Sequence, residues 1–311
     1  MKLSFAERLI NRVEELNNPS LLGLDPKLEY MPDFLLADAE KAGFEGNELV
    51  SEAFRQFNQT ILEELCDTVA AVKFQSACYE AYGPAGLACL YWSISYAQEL
   101  GFLSILDAKR NDIGSSASAY AAAGIGSSPL YLSEDEFIAT GADAITLNGY
   151  LGIDGIEPFL SLCREEGKGC FILVRTSNPS AGDLQDLELK DGRKVYEAMA
   201  DLVRSWSETV DEGEFSSVGA VVGATWPEQA KELRANMPRQ IFLIPGYGAQ
   251  GGQAKGAVAG FKDGKGGIVN SSRGLMLAWQ KCNLPPQEFA KATKLAAEAM
   301  KEDLNLALAE A

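Results

Sequence analysis

The chain has 311 residues, 47% of them apolar, enough to bury one large core or two small ones. Its 44 acidic against 27 basic side chains leave a net charge of −17, which disfavours nucleic acid or an anionic membrane as partner. It contains no histidine, which excludes a serine–histidine nucleophile pair, a histidine zinc site and a histidine general base; chemistry must run on Lys, Asp, Glu, Ser, Cys or backbone groups.

Apolar residues at Leu3, Ala6, Leu9, Ile10, Val13 and Leu16 share one face of a helix over 3–16, a packing helix closing one end of the fold. Glu7, Arg8, Arg12, Glu14 and Glu15 interrupt any signal-like run, and no stretch of about 18 apolar residues exists to span a bilayer. The segment 21–25 (LLGLD) reads as a short buried strand ended by Pro26, with Asp25 at its polar tip. A helix over 47–66 leads to a second strand over 69–74 (VAAVKF), whose Lys73 shares a face with Val69 and Ala71. Taken alone, that lysine reads as a snorkelling side chain. A helical segment over 83–100 follows.

The stretch 103–114, LSILDAKRNDIG, carries the densest chemical signal. Leu103, Ile105, Asp107 and Lys109 alternate onto one face of a third strand, and Asp112 follows where the chain turns into a loop. Ions on a buried face must have partners that repay their desolvation, and opposed charges this close shift each other's pKa values, as functional groups often do. An ordinary ion pair at a strand end would leave the same letters.

Further on, the Ser- and Ala-rich segment 115–123 starts a helix whose N-terminal amides suit an anion. A fourth strand over 144–147, a helix over 156–166 and a fifth strand over 170–174 lead into Arg175-Thr176-Ser177-Asn178-Pro179. The polar loop over 177–192 has the length of a lid or binding loop. A helix over 194–210, a sixth strand over 218–222, a helix after Pro227 and a seventh strand over 241–244 come next. An eighth strand over 268–270 runs into Ser271-Ser272-Arg273-Gly274, and a C-terminal helix starts near Pro286.

Eight short apolar runs alternating with helices predict an α/β fold, a (β/α)8 TIM barrel with an added N-terminal helix and C-terminal helix, as one domain over 1–311. A doubly wound sheet could carry as many strands, but its G-x-G-x-x-G turn is missing and there is no P-loop. Asp25, Lys73, Asp107, Lys109, Ser177, the Gly246 loop and Arg273 all fall at carboxyl ends of strands, which a barrel brings to one mouth. The glycine-rich run 245–252 (PGYGAQGG), with Gly248 and Gln250, lets backbone amides approach an anion. Arg273 adds a bidentate fork, so the expected ligand is a phosphorylated small molecule. Cys66, Cys78, Cys89, Cys163, Cys170 and Cys282 show no C-x-x-C spacing and read as reduced, buried thiols of a cytoplasmic protein.

With these residues assembled, the sequence resembles the orotidine 5′-monophosphate decarboxylases of the longer bacterial type. The resemblance rests on Leu24-Asp25-Pro26, Val72-Lys73, the run 107–113 (DAKRNDI), Thr176-Ser177-Asn178-Pro179, the run 245–252 and Ser272-Arg273-Gly274. It implies a barrel homodimer that converts orotidine 5′-monophosphate to uridine 5′-monophosphate and carbon dioxide, the last step of de novo UMP synthesis, without metal or organic cofactor. Lys73, Asp107, Lys109 and Asp112 would form an alternating charge array. Asp112 and Ser116 would complete the site of the other subunit. Asp25 and Lys73 would hold ribose hydroxyls, Ser177 the pyrimidine, and Gln250 and Arg273, beside Gly248, the phosphate. Members of the family often carry histidine where this chain has Asn148 and Asn178. The alternatives are a phosphosugar aldolase or decarboxylase on the same barrel, a Schiff-base aldolase using Lys73 or Lys109, and a non-catalytic phosphate-ligand binding protein.

Overall fold

The computed structural model describes residues 3–131, 133–211, 213–248 and 251–310. Eight strands close into a parallel barrel: β1 Ser20–Leu24, β2 Ala71–Gln75, β3 Leu103–Arg110, β4 Ala144–Leu147, β5 Gly169–Arg175, β6 Ser216–Val222, β7 Gln240–Ile244 and β8 Gly267–Ser271. Each strand pairs with its sequence neighbours, and β8 returns to β1 through Ser20 opposite Val269. The barrel, the N-terminal helix Phe5–Leu16 and the C-terminal helix Phe289–Ala309 agree with the sequence expectation. Among the described residues no helix is long and apolar enough to cross a membrane.

The alternation read from the sequence sorts the side chains into two cores. Inside the barrel, Leu21, Ala71, Ile105, Phe171, Ile241 and Ile268 pack in layers. Phe5 of the N-terminal helix plugs this interior from below, edge-on to Phe171 with centroids 5.9 Å apart. Space for the two rings comes from glycine: a Cβ at Gly169 would collide with Phe5, and one at Gly219 would lie 2.6 Å from Phe171. Ser4 caps the helix reciprocally with Glu7, fixing its entry angle. The second core lies between strands and outer helices, with Phe57 stacked on Phe289 at 5.0 Å.

Several local expectations need correction. Val69 does not share the Lys73 face; its amide hydrogen-bonds back to Leu65 O at the end of the helix Gly46–Leu65, and its side chain joins the outer core. The loop over 177–192 is partly ordered, with the short helix Gly182–Gln185 and a bridge between Glu188 and Lys194. Helices at Asp33–Lys41 and Ser76–Glu80, and an antiparallel ribbon pairing Ser128–Pro129 with Glu136–Phe137, were not expected; the last two are too short for periodicity to register. Only Cys89, Cys163 and Cys170 are buried; Cys66, Cys78 and Cys282 are half-buried.

Candidate active site

The carboxyl ends of the strands open on a cavity of about 950 Å³. Asp25, Lys73, Asp107, Lys109, Ser177, Gly246 and Arg273 all line it, as a barrel requires of residues from six different strand ends.

Asp107 is the hub. Its Oδ2 accepts from Lys73 Nζ at 2.8 Å and Gln75 Nε2 at 3.1 Å, and its Oδ1 from Lys109 Nζ at 2.6 Å and Thr146 Oγ1 at 2.8 Å. Lys73 Nζ also reaches Asp25 Oδ1 at 3.3 Å. The chain of charges therefore runs Asp25, Lys73, Asp107, Lys109 without a break. Its inner members, Lys73 and Asp107, have side chains only 5% and 8% exposed, whereas that of Lys109 is 45% exposed and points to the open cavity.

Local backbone geometry makes this possible. Up to Leu106, β3 pairs with β4 in regular register; the next pair is Arg110 with Leu147, so β3 bulges over 107–109. Lys109 sits within the bulge at φ +47°, in the left-handed region. Its amide donates to Thr146 Oγ1 at 3.0 Å, and that hydroxyl in turn donates to Asp107.

Burial penalises the Asp107 carboxylate, but the ammonium groups of Lys73 and Lys109 outweigh that penalty and hold its pKa below the carboxylate range. Burial likewise works against the Lys73 ammonium, and Asp107 and Asp25 outweigh it and raise its pKa. Both groups are ionised at neutral pH. Cys78 at the same wall is pushed up to about 11 by burial and then by Asp25, and so stays a thiol.

On the far side, β8 delivers Asn270, Ser272 and Arg273 to the wall, and the glycine-rich turn after β7 delivers Gly246 and Tyr247. Here β1 passes so close to β8 that a Cβ at Gly23 would collide with Ser272 Oγ. The lining carries four cations (Lys27, Lys73, Lys109, Arg273) against two carboxylates, so a protein of net charge −17 presents a locally positive site that suits an anion.

Ser177 reaches the cavity from the end of β5 on a braced segment. Arg175 is fully buried, its guanidinium 4.3 Å from the Trp226 ring centre and 5.3 Å from that of Tyr196. It donates to Gln229, Gln185 and Asp186, while Trp226 Nε1 donates to Thr176 O and Gln185 Oε1 accepts the Thr176 amide. Asn178 lines the cavity; Asn148 instead accepts the Tyr150 amide outside it.

Other expected residues lie elsewhere. Asp112 and Ser116 stand outside the cavity of their own chain, Asp112 accepting the Ile113 amide, and Gly248 is an exposed turn residue at φ +66°. Gln250 lies outside the described residues. Sequence reading missed Gln75 and Thr146. Gln75 follows Lys73 by the strand period of two, which is a usable signal; the hydroxyl of Thr146 in the apolar run AITL gave little warning.

Residues 50–281 match the family model described as orotidine 5′-phosphate decarboxylase / HUMPS family. The chain is 41% identical over 281 residues to the orotidine 5′-phosphate decarboxylase of Rhodopirellula baltica, covering 90% of each. It is 37% identical to that of Caldicellulosiruptor saccharolyticus over 312 residues, 98% of this chain and 99% of the relative. Among solved structures it is similar to Leishmania donovani OMP decarboxylase, with TM-score 0.74 and 29% identity over 98% of this chain and 99% of that one.

Proposed function

The chain belongs to the orotidine 5′-phosphate decarboxylase / HUMPS family, and from that premise we propose that it converts orotidine 5′-monophosphate to uridine 5′-monophosphate and carbon dioxide. The observation that carries this reading is the unbroken array with Lys109 at its open end: a cation 2.6 Å from a buried carboxylate, facing a cavity with a positive far wall.

The bond between C6 of the pyrimidine and its carboxylate breaks, leaving its electron pair on C6 and releasing carbon dioxide. That pair has no adjacent π-system to enter, so stabilisation falls to a preplaced charge. Lys109 provides it, then gives an Nζ proton to C6 as general acid and is reprotonated from solvent. Asp107, held ionised by Lys73, aims the Lys109 ammonium and stands near the departing carboxylate. Asp25 and Lys73 hold ribose hydroxyls, Ser177 the pyrimidine, and Arg273 with Gln250 the phosphate. Binding energy at the phosphate, remote from C6, orients the ring. No step calls for a metal or organic cofactor.

Asp112 and Ser116 are assigned to the site of a second copy, making the working unit a homodimer and the monomer inactive. Their position outside their own cavity supports this, as do the exposed apolar residues around them, Ile113, Tyr120, Tyr150, Leu151 and Ile153. Residues 1–311 are read as one barrel domain acting in cytoplasmic pyrimidine biosynthesis.

The test is the loss of orotidine 5′-monophosphate absorbance with purified protein in EDTA. Turnover supports the reading. No turnover, with magnesium restoring activity on a phosphosugar, replaces it by the aldolase alternative; tight nucleotide binding without turnover replaces it by a binding protein.

A further inference from the structure

Among the described residues of 246–252, Tyr247 is the only one that is not glycine. Its neighbours Gly246 and Gly248 have φ of +102° and +66°, and Gly251 +90°, so these glycines have much backbone entropy to lose on ordering. Backbone bonds close it on itself, Gly248 N to Gly252 O at 2.8 Å and Gly252 N to Gly246 O at 3.0 Å. Ahead of the turn the Ala224 amide donates to Pro245 O at 2.9 Å, but nothing in the turn's own bonds fixes it against the rest of the barrel.

Tyr247 does. Its ring lines the cavity, and its hydroxyl donates to Asp303 Oδ2 at 2.6 Å, on the exposed side of the C-terminal helix. Burial and the Asp303 carboxylate push the phenol pKa above its usual value, so the hydroxyl remains the donor. The C-terminal helix has a second tie to this region, Lys255 to Glu310 at 2.8 Å, but both side chains there are largely exposed and such pairs contribute little.

We propose that Asp303 is a positioning residue for the phosphate end of the site: by accepting the Tyr247 hydroxyl it holds Tyr247 and the glycines on either side of it, Gly246 and Gly248, in place before substrate arrives. The stretch 246–248 then loses less entropy when the phosphate binds, and the gain appears as affinity for phosphorylated ligands only. This rests on the decarboxylase reading, in which that turn receives the phosphate.

The experiment compares wild type with Asp303→Ala, Asp303→Asn and Glu310→Gln, using orotidine 5′-monophosphate against orotidine in turnover and UMP against uridine in calorimetry. Asp303→Ala is expected to raise KM for the phosphorylated substrate and Kd for UMP about tenfold, with kcat within about twofold. Values for orotidine and uridine should not move. Asp303→Asn, which keeps a neutral acceptor, should fall between, and Glu310→Gln should match wild type. Unchanged UMP affinity in Asp303→Ala overturns the proposal, as does an equal loss for uridine or a change confined to thermal stability. Wild type inactive on orotidine 5′-monophosphate would remove the decarboxylase reading, while UMP against uridine would still decide the role of Asp303.

Discussion

Asp107 and Lys109 are two residues apart on one strand, and the Lys109 ammonium meets Asp107 Oδ1 at 2.6 Å from a backbone at φ +47°. That conformation is uncommon for a residue with a Cβ, at about 1–2 kcal/mol. The bulge, the Thr146 hydroxyl and the ion pair together maintain it.

Strain at Lys109 separates stability from activity. Lys109→Ala and Lys109→Gly both remove the ammonium, but only glycine adopts this φ freely. Lys109→Gly is expected to be more stable than Lys109→Ala by about 1 kcal/mol in urea denaturation, with turnover lost in both. Equal stabilities would mean that the bulge relaxes once the side chain is gone.

The two ends of the cavity should fail differently. On the proposed mechanism Lys109→Ala removes charge stabilisation and the proton donor, so turnover is expected to fall by at least about 10³-fold with UMP binding retained. Arg273→Ala should chiefly weaken UMP binding, by about 10–100-fold, because the proposed reading makes Arg273 a charged hydrogen-bond donor to the phosphate. Calorimetry on both variants checks the division; equal loss of UMP affinity would sink it.

Much of this site was legible because barrel topology turns strand ends into one surface. Asp25, Lys73, Asp107, Lys109, Ser177 and Arg273 each close an apolar run, and closure of the barrel made them neighbours. The bulge was not legible: strict alternation already placed Asp107 and Lys109 on one face, and nothing in DAKR announces a register shift at 107–109. Thr146, opposite that shift, bonds both the Lys109 amide and Asp107. The Tyr247–Asp303 and Arg175–Trp226 contacts span 56 and 51 residues, and the letters of one chain carry no signal of such pairings. The sandwiched arginine even reads, in sequence, as the polar start of a loop.

At the opposite end of the barrel, Arg234 is buried with no acid paired to it among the described residues. Its guanidinium donates to four backbone carbonyls, Gly260, Met237, Gln240 and Gly266, at 2.6–2.9 Å, and lies 3.8 Å from the Phe242 ring centre. Burial pulls its pKa down to about 10, still high enough for full charge at neutral pH. A lysine ammonium cannot span four acceptors. Arg234→Lys is therefore expected to lose about 2–4 kcal/mol of stability with kcat unchanged at a temperature where it is folded. Denaturant midpoints and turnover together check this; a lower kcat at unchanged midpoint would place Arg234 in the working of the site.

The array also fixes how stability responds to pH. Asp107 titrates below its unfolded value of about 3.9, so its contribution is present above about pH 4 and is lost as pH falls towards its folded pKa. Lys73 titrates above its unfolded value of about 10.4, so its contribution is complete below about pH 10 and is lost as pH rises through its folded pKa. Between about pH 5 and 9 neither group changes protonation in either state, and their joint contribution should be flat. In Asp107→Asn the acid-side loss from this site disappears. The Lys73 pKa falls because its nearest carboxylate is gone, so the gap between its folded and unfolded values narrows and the alkaline loss should be smaller than in wild type, with the same onset at about pH 10. Denaturation free energies of both proteins from about pH 3 to 11 check the two limbs separately. Parallel curves would show that Asp107 and Lys73 do not set each other's ionisation.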